Sequence, residues 1–122
     1  MEKSRSDRIE LGRRGENAAV RYLEERGLRV IVRGFRWRRG EIDVIAGDGE
    51  TLVFAEVKTR TDREYGPPEE SVTKAKRRQI RRVAAAYLAI NGLETSPCRF
   101  DVLAVEFDDD GRPLVRHLPD AF

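Results

Sequence analysis

Three side chains stand out for what they could do together. Asp43 lies in the run GEIDVIAGD, and Glu56 and Lys58 lie in TLVFAEVKTR. Each interrupts a stretch whose other residues suit core strands. Two carboxylates and an ammonium can hold a hard divalent cation through oxygen, orient a water and meet a phosphate charge. Glu41, two residues before Asp43, adds a third acid. Side chains alternate across a sheet, so Glu41, Asp43 and Ile45 share one face, as do Leu52, Phe54, Glu56, Lys58 and Arg60 of the next strand. A two-residue turn at Asp48-Gly49 would set Asp43 opposite Phe54 and Glu41 opposite Glu56, and the four polar groups would converge. A three-residue loop would break that arrangement. Two readings stay open on spacing alone: a cation site of Asp43 and Glu56 served by Lys58, or an exposed sheet face crossed by ion pairs.

These residues need elements to position them. A helix is expected from about Asp7 to Arg26, stopped by Gly27, with residues 1–6 frayed. Strand-like residues follow at 28–35, then a basic linker, Arg36–Arg39, then the hairpin that carries the acids. Its core face would be Ile42, Val44, Val53, Ala55 and Val57. Residues 61–68 read as a loop closed by Pro67 and Pro68. A second helix is expected from about Glu70 to Ile90, and two strands at 99–107 and 113–117 joined by a turn at 108–112. The order αβββαββ is that of an α/β protein, a mixed sheet flanked by two helices, in one domain over residues 1–122.

Helix geometry places further charges beside the apolar faces. Ile9, Gly12, Ala19, Val20 and Leu23 share one side of the first helix, and Glu16 falls within that stripe. A carboxylate facing a sheet must pair with a cation, from an arginine or otherwise. Val72, Ile80, Val83, Tyr87 and Ile90 share one face of the second helix, with Lys76 along its middle and Gln79 beside it. Lys76 could snorkel on its alkyl stem or point to a partner. Lys74, Arg77, Arg78, Arg81 and Arg82 lie on the outer side, a solvated face or a phosphate-contacting one.

Composition removes several classes. The 122 residues include 24 Lys or Arg and 22 Asp or Glu, a net charge of +2, so basic character is local. One cysteine, Cys98, and one histidine, His117, exclude a four-ligand zinc site and an internal disulfide. Ser-His-Asp or Cys-His catalysis would have to run through His117, which sits in a short terminal strand. Cys98 reads as a small buried residue and His117 as a surface strand residue. No apolar run approaches the roughly 20 residues of a membrane span. The charged start MEKSRSDRIELGRR lacks a signal peptide's apolar stretch, so a soluble cytoplasmic protein is expected.

A longer pattern carries a resemblance. GRRGENAAVRYLEERGLRVIVRGFRWRRGEIDVIAGDGETLVFAEVKTR, followed by YGPPEESVTKAKRRQIRRVAAAYL, closely resembles the YraN family of uncharacterised bacterial proteins, predicted endonucleases, from about Leu11 to Val105. Asp43 and Glu56-Val57-Lys58 resemble the D…(D/E)-x-K core of the PD-(D/E)XK superfamily, with Ile42 in place of the proline of that name. A more distant similarity is to archaeal Holliday-junction resolvases, which share a helical Glu, the Asp strand and the E-V-K strand. The resemblance implies a restriction-endonuclease-like core. It makes Asp43 and Glu56 metal ligands, with the Val57 carbonyl a further one, and Lys58 the catalytic lysine. Glu16 would complete the acidic cluster through water, and Glu41, Lys76 and Gln79 would be accessory. The implied activity is Mg2+- or Mn2+-dependent hydrolysis of DNA phosphodiester bonds, selective for branched or junction DNA, in repair or recombination. Arg36, Trp37, Arg38, Arg39, Lys74, Arg77, Arg78 and Arg81 would contact the nucleic acid, with Trp37 either stacked on a base or serving as a half-buried anchor. A homodimer would supply two active sites. The rival readings are a nucleic-acid-binding module that does not cut and a protein-interaction adaptor.

Overall fold

The computed structural model describes residues 4–60 and 72–122. The loop expected at 61–68 and the helix start at Glu70 lie outside the described residues.

The first helix, α1, spans Arg5–Glu25. Ser4 caps it: its hydroxyl accepts the Asp7 N–H, and the Asp7 carboxylate accepts the Ser4 N–H. This reciprocal box satisfies free helix-end donors, so Arg5 and Ser6 are helical rather than frayed. Gly27, at φ 86°, turns the chain out as expected, and Leu28 N–H donates to the Leu23 carbonyl. Five strands and one helix follow: β1 (Arg29–Trp37), β2 (Gly40–Asp48), β3 (Thr51–Thr59), α2 (Lys74–Ile90), β4 (Cys98–Phe107) and β5 (Pro113–Leu118). The order αβββαββ is the expected one. α2 begins at Lys74, later than the sequence suggests, because the Thr73 hydroxyl caps it by accepting the Lys76 N–H.

The strands form one mixed sheet in the order β1-β2-β3-β4-β5. Only β3 and β4 run parallel, and α2 makes the crossover between them. Both faces are covered. Ala19 and Leu23 of α1 pack with Val44, Ala46, Val53, Ala55, Leu103 and Val105. Ile80, Val83 and Tyr87 of α2 pack with Ile42, Ile45, Phe54 and Val102 on the other side. The stripes are shorter than their periodicity predicts, since Ile9 and Ile90 at the helix extremities are 63% and 65% exposed. α1 comes close to β3 because residue 15 is glycine: a Cβ there would overlap Thr59 Oγ1.

Three departures from expectation shape the site. First, the β2–β3 turn is Gly49-Glu50, with Asp48 paired to Thr51 and Val44 to Ala55. The register is displaced by two residues, so Phe54 pairs with Ile45 rather than Asp43, and the pairing ends at Val44–Ala55. Second, alternation breaks at Asp43. Ile42 and Ile45 lie under α2, whereas Asp43 borders α1 and the next residue, Val44, packs beneath it. Gly34 of β1, between the pairs Arg33–Val44 and Phe35–Ile42, has φ 66° and bends with it. Ile42 is thereby removed from the expected core face. Third, Arg36–Arg39 is no linker. Arg36 and Trp37 extend β1, and Arg38-Arg39 alone form the turn, at φ 42° and 61°. Two left-handed non-glycine residues cost on the order of 1–3 kcal/mol each.

Candidate active site

The site forms where β2 and β3 part. Beyond the pair Val44–Ala55, Asp43 Oδ2 accepts the Val57 N–H at 2.8 Å, so a side chain replaces a strand carbonyl. Asp43, Val57, Lys58 and Thr59 line a cleft of about 380 Å³ with Gly12 and Glu16 of α1. Glu56 is 5% exposed. Its Oε1 lies 4.0 Å from Lys58 Nζ and 3.9 Å from Lys76 Nζ, and its Oε2 is buried with no hydrogen-bond partner. Lys76 Nζ also donates to Gln79 Oε1 at 3.3 Å. α2 thus projects its inward lysine onto the acid of β3, which resolves the choice between snorkelling and pairing.

Too little positive charge surrounds these acids. Burial pushes Glu56 up to about 7, the adjacent Asp43 carboxylate adds to the rise, and Lys76 and Lys58 offset only part of it. Burial also raises Asp43, helped by Glu16 and Glu41 and opposed by the Val57 N–H and Lys76. Two raised carboxyls and an orphaned buried oxygen call for a proton or a cation. The donors are all oxygen, which fits a hard divalent ion that keeps several waters.

The wider acidic cluster does not assemble. Among the described residues no three His, Cys, Asp or Glu side chains are gathered as a metal-binding group. Glu16 borders the cleft but is held by Arg33 at 3.1 Å, and Arg33 also reaches Asn17 at 2.6 Å. Glu41 pairs with Arg36 at 3.1 Å instead of converging on Glu56. Arginines on β1 neutralise both acids, and the break at Asp43 separates the faces that strict alternation would have merged.

The expected nucleic-acid residues fall into groups. Arg38 and Arg39 form the hairpin tip, and Arg36 is exposed beside it. Gln79 Nε2 donates to the Arg39 carbonyl at 3.1 Å and Arg82 Nη2 to the Arg38 carbonyl at 3.2 Å. Trp37 is half-buried against the α2 core, with the guanidinium carbons of Arg38 and Arg82 at 4.6 and 5.3 Å from its ring centre. Lys74 and Arg78 are exposed on α2. Arg81 lies over Phe100, and Arg77 lies over Phe122 while donating to the Val72 carbonyl.

Sequence reasoning missed two things. Gly12 and Thr59 line the cleft, and Gly12 leaves open space above it; only Gly12's place in the apolar stripe hinted at this. The other is Asp101 on β4, fully buried, which accepts from Arg99 at 3.1 Å and the Asp120 N–H at 2.9 Å and bonds His117 Nε2 at 2.7 Å. Burial alone would raise Asp101, but these bonds hold it below the usual carboxylate value. His117 is therefore a partnered, half-buried residue rather than a surface one, and Cys98 is exposed rather than buried. Both departures arise at β4, whose start and whose pairing to β5 set their surroundings.

Comparison with known proteins places this arrangement in a lineage. The profile of the uncharacterised protein family UPF0102 matches residues 15–105, which include Glu16, Asp43, Glu56, Lys58 and Lys76. The chain belongs to the UPF0102 family. A UPF0102 protein of Symbiobacterium thermophilum is 53% identical over 112 residues, covering 92% of this chain and 95% of the relative. One from Geotalea uraniireducens is 47% identical over 118 residues, 97% and 93% of the two chains. One from Rhodococcus jostii is 45% identical over 114 residues, 93% and 97%. The YraN resemblance is thus borne out as UPF0102 membership. None of these UPF0102 relatives carries an activity in its name. Among the described residues no helix is long and apolar enough to cross a membrane.

Proposed function

We propose that this protein is a metal-dependent endonuclease of the PD-(D/E)XK type, acting on DNA. The observation that carries the reading is Glu56 Oε2, buried and without a hydrogen-bond partner, on the strand whose Val57 and Lys58 line a cleft with Asp43. Asp43 and Glu56, with the Val57 carbonyl, would hold Mg2+ or Mn2+, which would polarise a scissile phosphate and acidify a bound water. Asp43 is fixed by the Val57 N–H, which orients its carboxylate for that task. Lys58 lies 4.0 Å from Glu56 and borders the same cleft, where it can orient the attacking water and stabilise charge on the phosphate. Lys76 balances Glu56 from the other side. Glu16 would act through water once Arg33 yields it. The basic tip and the exposed Lys74 and Arg78 would hold the backbone, with substrate choice by shape or branching. The setting proposed is cytoplasmic DNA repair or recombination, with two copies supplying two active sites where both strands are cut.

The test is cleavage of labelled linear, flapped and four-way DNAs with Mg2+ or Mn2+ by wild type and Lys58→Ala. Cleavage that disappears in the variant supports the reading. Binding without cleavage by either protein overturns it and favours the binding module, a reading to which the pairing of Glu16 with Arg33 lends weight.

A further inference from the structure

The Arg38-Arg39 tip is built in a way that simple solvation of charge does not explain. Both residues occupy left-handed backbone, where Asn-Gly would sit without strain. Gln79 and Arg82 of α2 hold them there through their carbonyls. The tip is thereby fixed to the helix that also directs Lys76 onto Glu56. Among the described residues the Arg39 side chain is exposed and makes no hydrogen bond or ion pair.

The surroundings narrow the partner. Proteins that bind single strands pair positive charge with exposed aromatic rings on which bases stack. Here Trp37 is packed beneath two guanidinium groups, and among the described residues no Phe, Tyr or Trp is exposed. Rigid positive charge, with no exposed aromatic ring among the described residues, suits the phosphate walls and groove of a duplex. Four residue steps along the start of β2 take the chain from Arg39 to Asp43, at most roughly 13 Å at the rise of a strand. That span is about four base-pair rises of duplex DNA.

We propose that the Arg38-Arg39 turn is a rigid probe for the groove of duplex DNA, engaging a paired arm about four base pairs from the phosphate held at Asp43 and Glu56. Its distance rule rests on the nuclease reading; its preference for duplex does not. The substrate would then be DNA with a double-stranded arm on the tip's side of the cut.

The experiment uses the full-length Lys58→Ala protein, without metal, so that binding is read apart from cleavage. Fluorescence anisotropy compares a labelled duplex with one of its single strands. Adding Arg39→Gly should weaken duplex binding at least about fivefold and leave single-strand binding within about twofold. The same change should raise the unfolding midpoint by a few degrees, because glycine relieves the left-handed strain. Arg39→Lys, which keeps the charge, should retain most of the affinity. Unchanged duplex binding in Arg39→Gly, equal loss on both DNAs, or no DNA binding by the parent protein would each overturn the proposal. Loss of duplex binding in a protein whose wild type never cleaves would leave the tip's role standing and remove the nuclease reading alone.

Discussion

Glu56 is a buried acid at the centre of the proposed site, and its protonation should be visible in stability. Its carboxyl lies at about 7 in the fold against 4.5 for the ordinary group. Between those values the folded state binds more protons than the unfolded one, so stability falls as pH rises through this window. The full cost, on the order of 3 kcal/mol, is felt above about pH 7. Asp43 shifts in the same sense. Glu56→Gln removes the burden, so its urea-unfolding free energy should match wild type near pH 4.5 and exceed it increasingly toward pH 8 without divalent cation. A difference independent of pH would show that burial does not raise this acid. Lys76 supplies a second expectation. Its ammonium stands 3.9 Å from Glu56 Oε1, in the charge environment a cation would enter. Lys76→Met should tighten Mn2+ binding several-fold by calorimetry, at roughly 1 kcal/mol for one displaced counter-charge. Lys74→Met, exposed on the same helix, should leave it unchanged.

At the scale of elements, the close approach of α1 to β3 brings Glu16 and Gly12 to the cleft. Gly15 permits it, and a methyl group there would overlap Thr59 Oγ1. Gly15→Ala should destabilise by about 1–3 kcal/mol in chemical denaturation, and Thr59→Ala added to it should recover part of the loss. Loss without recovery would point to the helix itself rather than the contact. Much of this level was legible beforehand. Gly27 announced the end of α1, and the apolar spacing of Ile80, Val83 and Tyr87 marked the buried face of α2. What escaped were local capping and turn choices. Ser4 and Asp7 fix the start of α1 through a reciprocal pair of bonds, and Gly49-Glu50 was chosen over Asp48-Gly49. Turn alternatives one residue apart differ little in local energy, and cross-strand packing decides between them.

At the scale of the whole molecule, charge is nearly balanced at +2, so attraction to a polyanion must come from a patch rather than from the overall field. Arg38, Arg39, Lys74 and Arg78 are exposed on the tip and on α2. If they make the phosphate contacts, the plot of log affinity against log salt should have a slope of about −3 to −4. A slope near zero would remove nucleic acid as the partner and leave the adaptor reading. The sequence by itself determined the order of elements, the family and the acid–lysine triplet of Asp43, Glu56 and Lys58, because periodicity and residue chemistry are local properties. Only the tertiary structure decided which charges remain available. Arg33 takes Glu16, Arg36 takes Glu41, and Asp101 gathers Arg99 and His117. Arg33–Glu16 and His117–Asp101 join residues distant in the chain, and no alternation pattern foretells the kink at Asp43 and Gly34.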